Sequence, residues 1–333
     1  MTVSIRTIAE KAGVSPSTVS RALRDDPRIS EETRQLVQTL AQEMGYVPSQ
    51  VARSLVLRRT HTLGVVVTTV ADPYVSQVMS GIEQASQEAG FTVLLATSHG
   101  SAEQELHAID TLRQREVDGL LVVSSRAGEL YSSLLPRWEQ PLVMINSPRQ
   151  TGGNYYSVRT DTARGASLAT DHLLALGHTR IAYIGGPPTG HSSVQRRAGY
   201  LAALRAGGAP IDHRLLLPGS GEADDGRRAL PWLMDLGATG VVCYNDLTAL
   251  GVLAAAWDAG MSVPEELSIV GIDNLAVGRL VRPQLTTVDQ QASALGQEAV
   301  KLALAAIDGQ QPEDVVLESQ LVVRASTGEP HHP

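Results

Sequence analysis

Cysteine, lysine and aromatic side chains are all scarce in this chain. Its 333 residues hold one Cys, one Phe, three Trp and eight Tyr, and aromatics make up only 4%. The single cysteine, Cys243, excludes a disulfide framework and points to a reducing compartment, the cytoplasm. No run reaches the roughly 18 apolar residues that a membrane span needs. The opening MTVSIRTIAEKAG has no apolar core of signal-peptide length. So few rings leave few surfaces on which a sugar or base can stack. Tyr74 is the best placed, while Trp138, Trp232 and Trp257 read as packing residues. Only Lys11 and Lys301 are lysines, so nearly all positive charge is arginine.

Signals for catalysis and cofactors are also missing. GGPPTG (185–190) is not followed by Gly-Lys-Ser/Thr, so it is no P-loop. No GxGxxG follows any strand candidate, which removes the main support for dinucleotide binding. Cys243 lies inside an apolar run and reads as core. His172 and His178 are six apart, off the i, i+4 spacing of helical metal ligands. No catalytic residue, metal site or cofactor is expected, and the chain does not read as an enzyme.

What is present is an uneven distribution of charge. The chain carries a net −8, but residues 1–60 hold nine Arg/Lys against six acids, a net +3, which leaves −11 for the rest. A basic head on an acidic body suggests an anionic partner for the head. Hydrophobic content of 43% is ample for two or three domains.

The head reads as three short helices. Ile5, Ile8, Ala9 and Ala12 form a helical stripe, with Ser4 as N-cap and Gly13 at the C-terminal turn. A second helix starts with Ser15 as N-cap and Pro16 at its first position, and buries Val19, Ala22 and Leu23. A third runs from Ser30 to Met44, with Glu31 and Glu32 in its first turn and Leu36, Val37, Leu40, Ala41 and Met44 on its apolar face. Two helices joined by a short Gly-containing turn, closed by a third, make a helix-turn-helix. Ser17, Thr18, Ser20 and Arg21 then face outward, hydroxyls for phosphate and a guanidinium for the O6/N7 edge of guanine. The same residues also fit an ordinary, well-capped αα-hairpin.

The run from Ile5 to Leu55, above all AGVSPSTVSRAL and YVPSQVARSL, closely resembles the DNA-binding head of the lactose-repressor (LacI/GalR-type) family of bacterial transcription regulators. The resemblance implies base reading by Pro16, Ser17 and Arg21, and phosphate contacts from Ser15, Ser20 and Thr33. Arg28 would make a further DNA contact. It also implies a hinge helix over Ser49–Arg59 whose Leu55 wedges into the minor groove, with Arg53, Arg58 and Arg59 facing the backbone. Arg24, Thr7 and Ser49 depart from the family pattern.

From Thr62 onward, short apolar runs alternate with helical patterns. Strand candidates are 63–70, 91–97, 119–125, 141–147, 180–186, 240–246, 267–273 and 285–289. Such alternation predicts α/β architecture with parallel sheets, and its length fits two doubly wound lobes. Ligands of such folds bind beyond the carboxyl ends of the strands. Asp72, Tyr74, Asn146, Asn245, Asp246, Asp273 and Asn274 lie at or just beyond the carboxyl ends of strand candidates, and Arg196 opens a helix after GGPPTGHSS. Asp161 and Asp246 also read as helix N-caps.

The body is similar to the periplasmic-sugar-binding-protein fold that the same family uses to sense effectors. That implies effector contacts from Asp72, Tyr74, Asn146, Arg196, Asn245 and Asp273. It implies a head at 1–47 and a hinge at 48–60. A first lobe would comprise 61–160 with 290–319, a second 161–289 with 320–328, and a tail 329–333, with crossings near Ser157–Asp161, Val288–Gln290 and Gln320–Val322. RASTGEPHHP carries no leucine heptad, so a homodimer on a pseudo-palindromic operator is expected. The expected function is a repressor controlled by a small effector, a sugar first and a purine or other metabolite next. From other classes, the alternatives are an α/β sugar-modifying enzyme and a stand-alone sugar-binding protein.

Overall fold

The computed structural model describes residues 3–46, 59–131, 138–147, 154–188 and 190–330. The chain forms two compact units, Met1–Thr60 and His61–Pro333.

In the first unit, α1 (Ile5–Ala12), α2 (Pro16–Ala22) and α3 (Glu31–Glu43) each start on a serine. The hydroxyls of Ser4, Ser15 and Ser30 accept the amides of Thr7, Thr18 and Thr33, which satisfies donors the helix cannot pair itself. Gly13 ends α1 at φ 66°, a left-handed conformation that costs glycine little. Ile8, Ala9, Val19, Ala22, Val37 and Ala41 form the small core. Leu36, expected on the apolar face, is 47% exposed. The narrow contact with α1 and α2 covers only the Val37/Ala41 side of α3.

The second unit contains two six-stranded sheets. The first lobe is built from β1 (Thr62–Val67), α4 (Pro73–Glu88), β2 (Thr92–Thr97), α5 (Ala102–Gln114), β3 (Gly119–Val123), β4 (Leu142–Ile145) and β5 (Tyr155–Thr160). The chain then enters the second lobe with α6 (Thr162–Ala175), β6 (Ile181–Ile184), α7 (His191–Ala206), β7 (Leu216–Leu217), α8 (Ala223–Asp235), β8 (Gly240–Cys243), α9 (Asp246–Asp258), β9 (Ser268–Ile272) and β10 (Thr286–Asp289). It returns to the first lobe with α10 (Ala292–Ile307) and β11 (Val315–Leu317), and crosses last to β12 (Gln320–Val322). Strand order is β11-β5-β4-β3-β1-β2 in one sheet and β12-β10-β9-β8-β6-β7 in the other. Among the described residues, neighbouring strands pair in parallel except β10–β12, which is antiparallel. β3, β4, β6, β8 and β9 are buried along their whole length, as strands covered by helices on both faces must be.

β5, β7, β11 and β12 are absent from the eight strand candidates. β7, β11 and β12 have two or three residues each, too short for a periodicity signal, and β5 interrupts its apolar residues with Ser157 and Arg159. Helices pair closely at glycines. A methyl on Gly81 of α4 would overlap the Ser293 carbonyl in α10, and one on Gly251 of α9 would overlap the Ala223 carbonyl in α8. Cys243 is fully buried. Trp138 is a packing residue, but Trp232 and Trp257 are 63% and 77% exposed, contrary to expectation. Their helices α8 and α9 pack through their small residues and leave the indoles on the outer faces. Among the described residues, no helix is long and apolar enough to cross a membrane.

Candidate functional site

In the first unit, α2 presents Ser15, Pro16, Ser17 and Arg21 to solvent, with Thr18 and Ser20 half-buried. The Ser15 hydroxyl lies 2.8 Å from both the Ser17 and Thr18 hydroxyls, so the cap organises a cluster of oxygens at one helix end. Arg24 donates from Nε to the Ser20 carbonyl (2.9 Å) and from Nη2 to the Ser20 hydroxyl (3.2 Å). Thr33 sits in the first turn of α3 with its hydroxyl 2.8 Å from that of Ser30. Arg28 forms a two-pronged pair with Asp26 at 2.9 and 2.7 Å. These hydrogen bonds hold the Asp26 carboxyl well below the usual carboxylate range. Leu55, Arg53 and Arg58, with the hinge from 48 to 58, lie outside the described residues.

In the second unit, strand ends of both lobes meet at a cleft. Thr68, Asp72, Tyr74, Ser124, Ser125, Arg126 and Asn146 line one side, and Gly190, His191, Ser192, Arg196, Tyr244, Asn245 and Asp273 the other. All six residues expected to bind effector therefore lie in one cavity. Its volume is about 80 Å³, and a neighbouring crevice of about 230 Å³ shares Asn146, His191 and Ser192 and adds Arg159, Thr160, Thr162 and Gln195.

Arg196 and Asp273 are both nearly fully buried and lie 3.4 Å apart. Burial pushes the Asp273 carboxyl up to about 8, outweighing the Arg196 guanidinium, and the negative charges of Asp246 and Asp72 act in the same direction. The Gln290 amide donates to Asp273 at 2.5 Å. Arg196 also donates to the Tyr244 carbonyl, and its guanidinium carbon lies 4.5 Å from the centre of the Tyr244 ring. On the opposite wall, the Asn146 amide donates to the Tyr74 hydroxyl (2.5 Å), while its carbonyl accepts the Thr160 amide (2.8 Å). Burial drives the Tyr74 hydroxyl well above its ordinary range. Burial and then Arg159 lower His191, which favours its neutral form.

The backbone is strained where it lines this cleft. Ser124 (φ 53°), Asn146 (φ 50°) and Asp273 (φ 123°) all have positive φ without being glycine. Such conformations cost of order 1–3 kcal/mol each and concentrate at functional sites.

One expectation changes in detail. Asn245, not Asp246, is the N-cap of α9: its carbonyl accepts the Thr248 amide at 2.9 Å and its amide donates to the Gly221 carbonyl at 2.8 Å. Asp246 is the first helical residue and fully buried, where it accepts the Thr287 hydroxyl (2.5 Å) and the Leu275 amide (2.7 Å). Burial raises it to about 6. Asp161 does cap α6, accepting the Arg164 amide at 2.9 Å, and Asp72 caps α4 through the Tyr74 amide at 2.9 Å.

Sequence reasoning missed Tyr244, Arg126, Glu105 and Gln290. Glu105 is buried in α5 and accepts the hydroxyls of Ser125 and Tyr131 and the Arg126 amide, which fixes the loop after β3. An acid within an amphipathic helix gives no local sign of such a role. Tyr244, adjacent to Asn245 at a strand end, could have been found by the same rule that found its neighbour.

Residues 4–49 match the family described as bacterial regulatory proteins, lacI family, and residues 170–327 match a periplasmic binding protein-like domain. The HTH-type transcriptional repressor CytR of Escherichia coli is 33% identical over 330 residues, 97% of this chain and 96% of its own length. Among solved structures, the lac repressor dimer bound to operator and the anti-inducer ONPF superposes with a TM-score of 0.89 at 27% identity, covering 98% of this chain and 100% of that one. The complex of the transcriptional regulator CelR with cellobiose gives 0.73 at 32% identity, covering 97% and 99%. With one identity in three sustained along almost the whole of CytR, and with a helix-turn-helix head and two parallel-sheet lobes in place, this chain belongs to the lacI family of bacterial regulatory proteins, which are DNA-binding transcriptional regulators with an effector-binding body.

Proposed function

We propose that this regulator is a cytoplasmic, homodimeric repressor without catalytic activity, whose hold on a pseudo-palindromic operator is set by a sugar bound between the lobes. Residues 1–47 read DNA, 48–60 form the hinge, and 61–160 with 290–319 and 161–289 with 320–328 form the lobes. In the head, Pro16, Ser17 and Arg21 read bases, Ser15, Thr18, Ser20 and Thr33 contact phosphates, and Arg28 contacts DNA by exchanging Asp26 for phosphate. Leu55 is the minor-groove wedge. The operator-bound lac repressor dimer and the cellobiose complex of CelR support this reading by analogy.

The observation that carries the sugar assignment is the buried Arg196–Asp273 pair facing Tyr74 and Asn146. Donor side chains (Arg126, Arg196, Asn146) and acceptor side chains (Asp72, Asp273, Asn245) both line the cleft, as a polyhydroxyl ligand requires. The effector acts by binding one arrangement of the lobes better than the other, since equal affinity would shift nothing.

Thermal melting against sugars, sugar phosphates and nucleobases tests the reading. A ligand at 100 times its Kd adds about 2.7 kcal/mol to stability. A sugar is expected to raise the midpoint of the wild type and leave Arg196→Ala unmoved, with operator binding kept in both. A shift by nucleobases alone would replace the sugar with a purine-type effector. A shift that persists in Arg196→Ala would remove the cleft assignment.

A further inference from the structure

Tyr244 occupies a space made by two distant glycines. A methyl built on Gly186 would fall 2.5–2.6 Å from three of its ring atoms, and one on Gly221 would fall 3.1 Å from two others. Real methyl carbons essentially never sit at the first distance, so the ring holds this position only because residue 186 is glycine. Gly221 has φ +92°, so its own backbone also disfavours a side chain there. The Arg196 guanidinium approaches to 4.5 Å from the ring centre. The Tyr244 amide donates to the Ile184 carbonyl at 2.8 Å, extending the pairing of β8 with β6. Backbone and ring are thus both fixed, and the ring is hemmed by two glycine backbones and a buried cation.

We propose that Tyr244 is the specificity-determining residue of the cleft, a wedge that limits the effector to a polyhydroxyl ligand of monosaccharide size. The proposal rests on the effector reading above and adds the size class. The ring lines the second-lobe wall of the cavity beside Arg196, and the cavity holds about 80 Å³. A crevice of about 230 Å³ lies toward Arg159 and Thr162, and a space of about 460 Å³ lined by Gly185 and Gly186 lies on the glycine side of the ring. A ligand engaging Arg196 is therefore kept from the glycine side of the cleft by the Tyr244 ring. The stacked ring also holds the guanidinium in place before a ligand arrives, which lowers the ordering cost of binding.

Isothermal titration tests this with D-ribose, D-glucose, D-galactose, maltose and cellobiose against wild type, Tyr244→Ala, Tyr244→Phe, Gly186→Ala and Arg196→Ala. Melting temperature and operator binding report the folding of each variant. The wild type is expected to bind at least one monosaccharide and neither disaccharide. Tyr244→Ala should gain a disaccharide by about ten-fold or more relative to the wild type, as expected when pocket volume is opened. Tyr244→Phe should keep the wild-type size preference. Gly186→Ala, which displaces the ring, should weaken the monosaccharide and serves where Tyr244→Ala is poorly folded. A wild type that takes disaccharides as tightly as monosaccharides, or an unchanged size preference in folded Tyr244→Ala, overturns the proposal. So does a wild type that binds none of the five. Sugar binding that survives Arg196→Ala refutes the effector reading itself. Loss in Arg196→Ala with no change of size preference in Tyr244→Ala refutes only the wedge.

Discussion

The Thr160 hydroxyl donates to the Gln290 side-chain carbonyl at 3.3 Å, and this contact joins two of the chain's three crossings between the lobes. Thr160 ends β5 and Gln290 follows β10. From Thr160 the hydrogen bonds run through Asn146 to Tyr74 in the first lobe, and from Gln290 through Asp273 to Arg196 in the second. One continuous polar chain thus connects the two walls of the cleft through its floor. Buried networks of this kind are stable only while every member is satisfied.

Gln290→Leu should break the chain at its centre. It removes the amide that Asp273 accepts, in a position only 1% exposed. We expect a stability loss of about 1–3 kcal/mol, the cost of leaving a buried polar group unpaired. Operator binding should persist while the effector response weakens. A full wild-type response in this variant would show that the network only supports the fold.

The raised carboxyls predict a pH dependence with a definite sign. Asp273 titrates at about 8 in the folded protein and near 3.8 when free. Between these values the folded state binds more protons than the unfolded one, so this group's stabilisation is full below about 4 and is lost as pH rises through about 8. Asp246 acts in the same direction up to about 6. Asp273→Asn should flatten the melting temperature between pH 6 and 8, where the group contributes a slope of up to about 1.4 kcal/mol per pH unit. A wild-type slope in that variant would mean that the carboxyl is ionised throughout the range.

Arg21→Ala should cost specific operator binding about 1–3 kcal/mol and leave non-specific binding nearly unchanged. Gel-shift titrations with operator and random duplex, at one salt concentration, make the comparison. Equal losses on both would reassign Arg21 to phosphate contact.

Leu55→Ala should reduce operator bending and affinity while the melting of the body stays at the wild-type value. Circular-permutation mobility of the complex reads the bend. An unchanged bend angle would exclude the wedge.

Gly251→Ala tests helix packing apart from function. The added methyl meets the Ala223 carbonyl, main chain that cannot swing aside. Overpacking of this kind costs about 1–3 kcal/mol, occasionally more. Denaturant unfolding should show a lower midpoint, and a neutral result would mean that α8 and α9 can slide apart freely.

Ser4, Ser15, Ser30 and Pro16 could be assigned from the sequence because a cap acts on amides two or three residues away, all within one window of sequence. The two-lobed α/β body could be read for a similar reason, since strands buried on both faces must be apolar along their length. Of the six residues expected to contact effector, Asp72, Tyr74, Asn146, Asn245 and Asp273 follow from their place at strand ends, whereas Arg196, inside a helix, came from the family resemblance. Beyond that range the signal fades. Asn245 and Asp246 are both good cap residues, and only a carbonyl aimed at Thr248, against a carboxyl aimed at Thr287 and Leu275, separates them.

The amino-acid sequence by itself determined where the helices of the head begin and end, that the body is layered α/β, and which strand ends carry polar chemistry. These rest on interactions between near neighbours and on patterns repeated every two to four residues. Only the tertiary structure decided that Gly186 and Gly221 make room for Tyr244, that Thr160 meets Gln290, and that Arg196 is buried against Asp273. Those contacts join residues 23 to 130 positions apart. Each depends on where two sheets and three crossings place side chains that no local pattern relates.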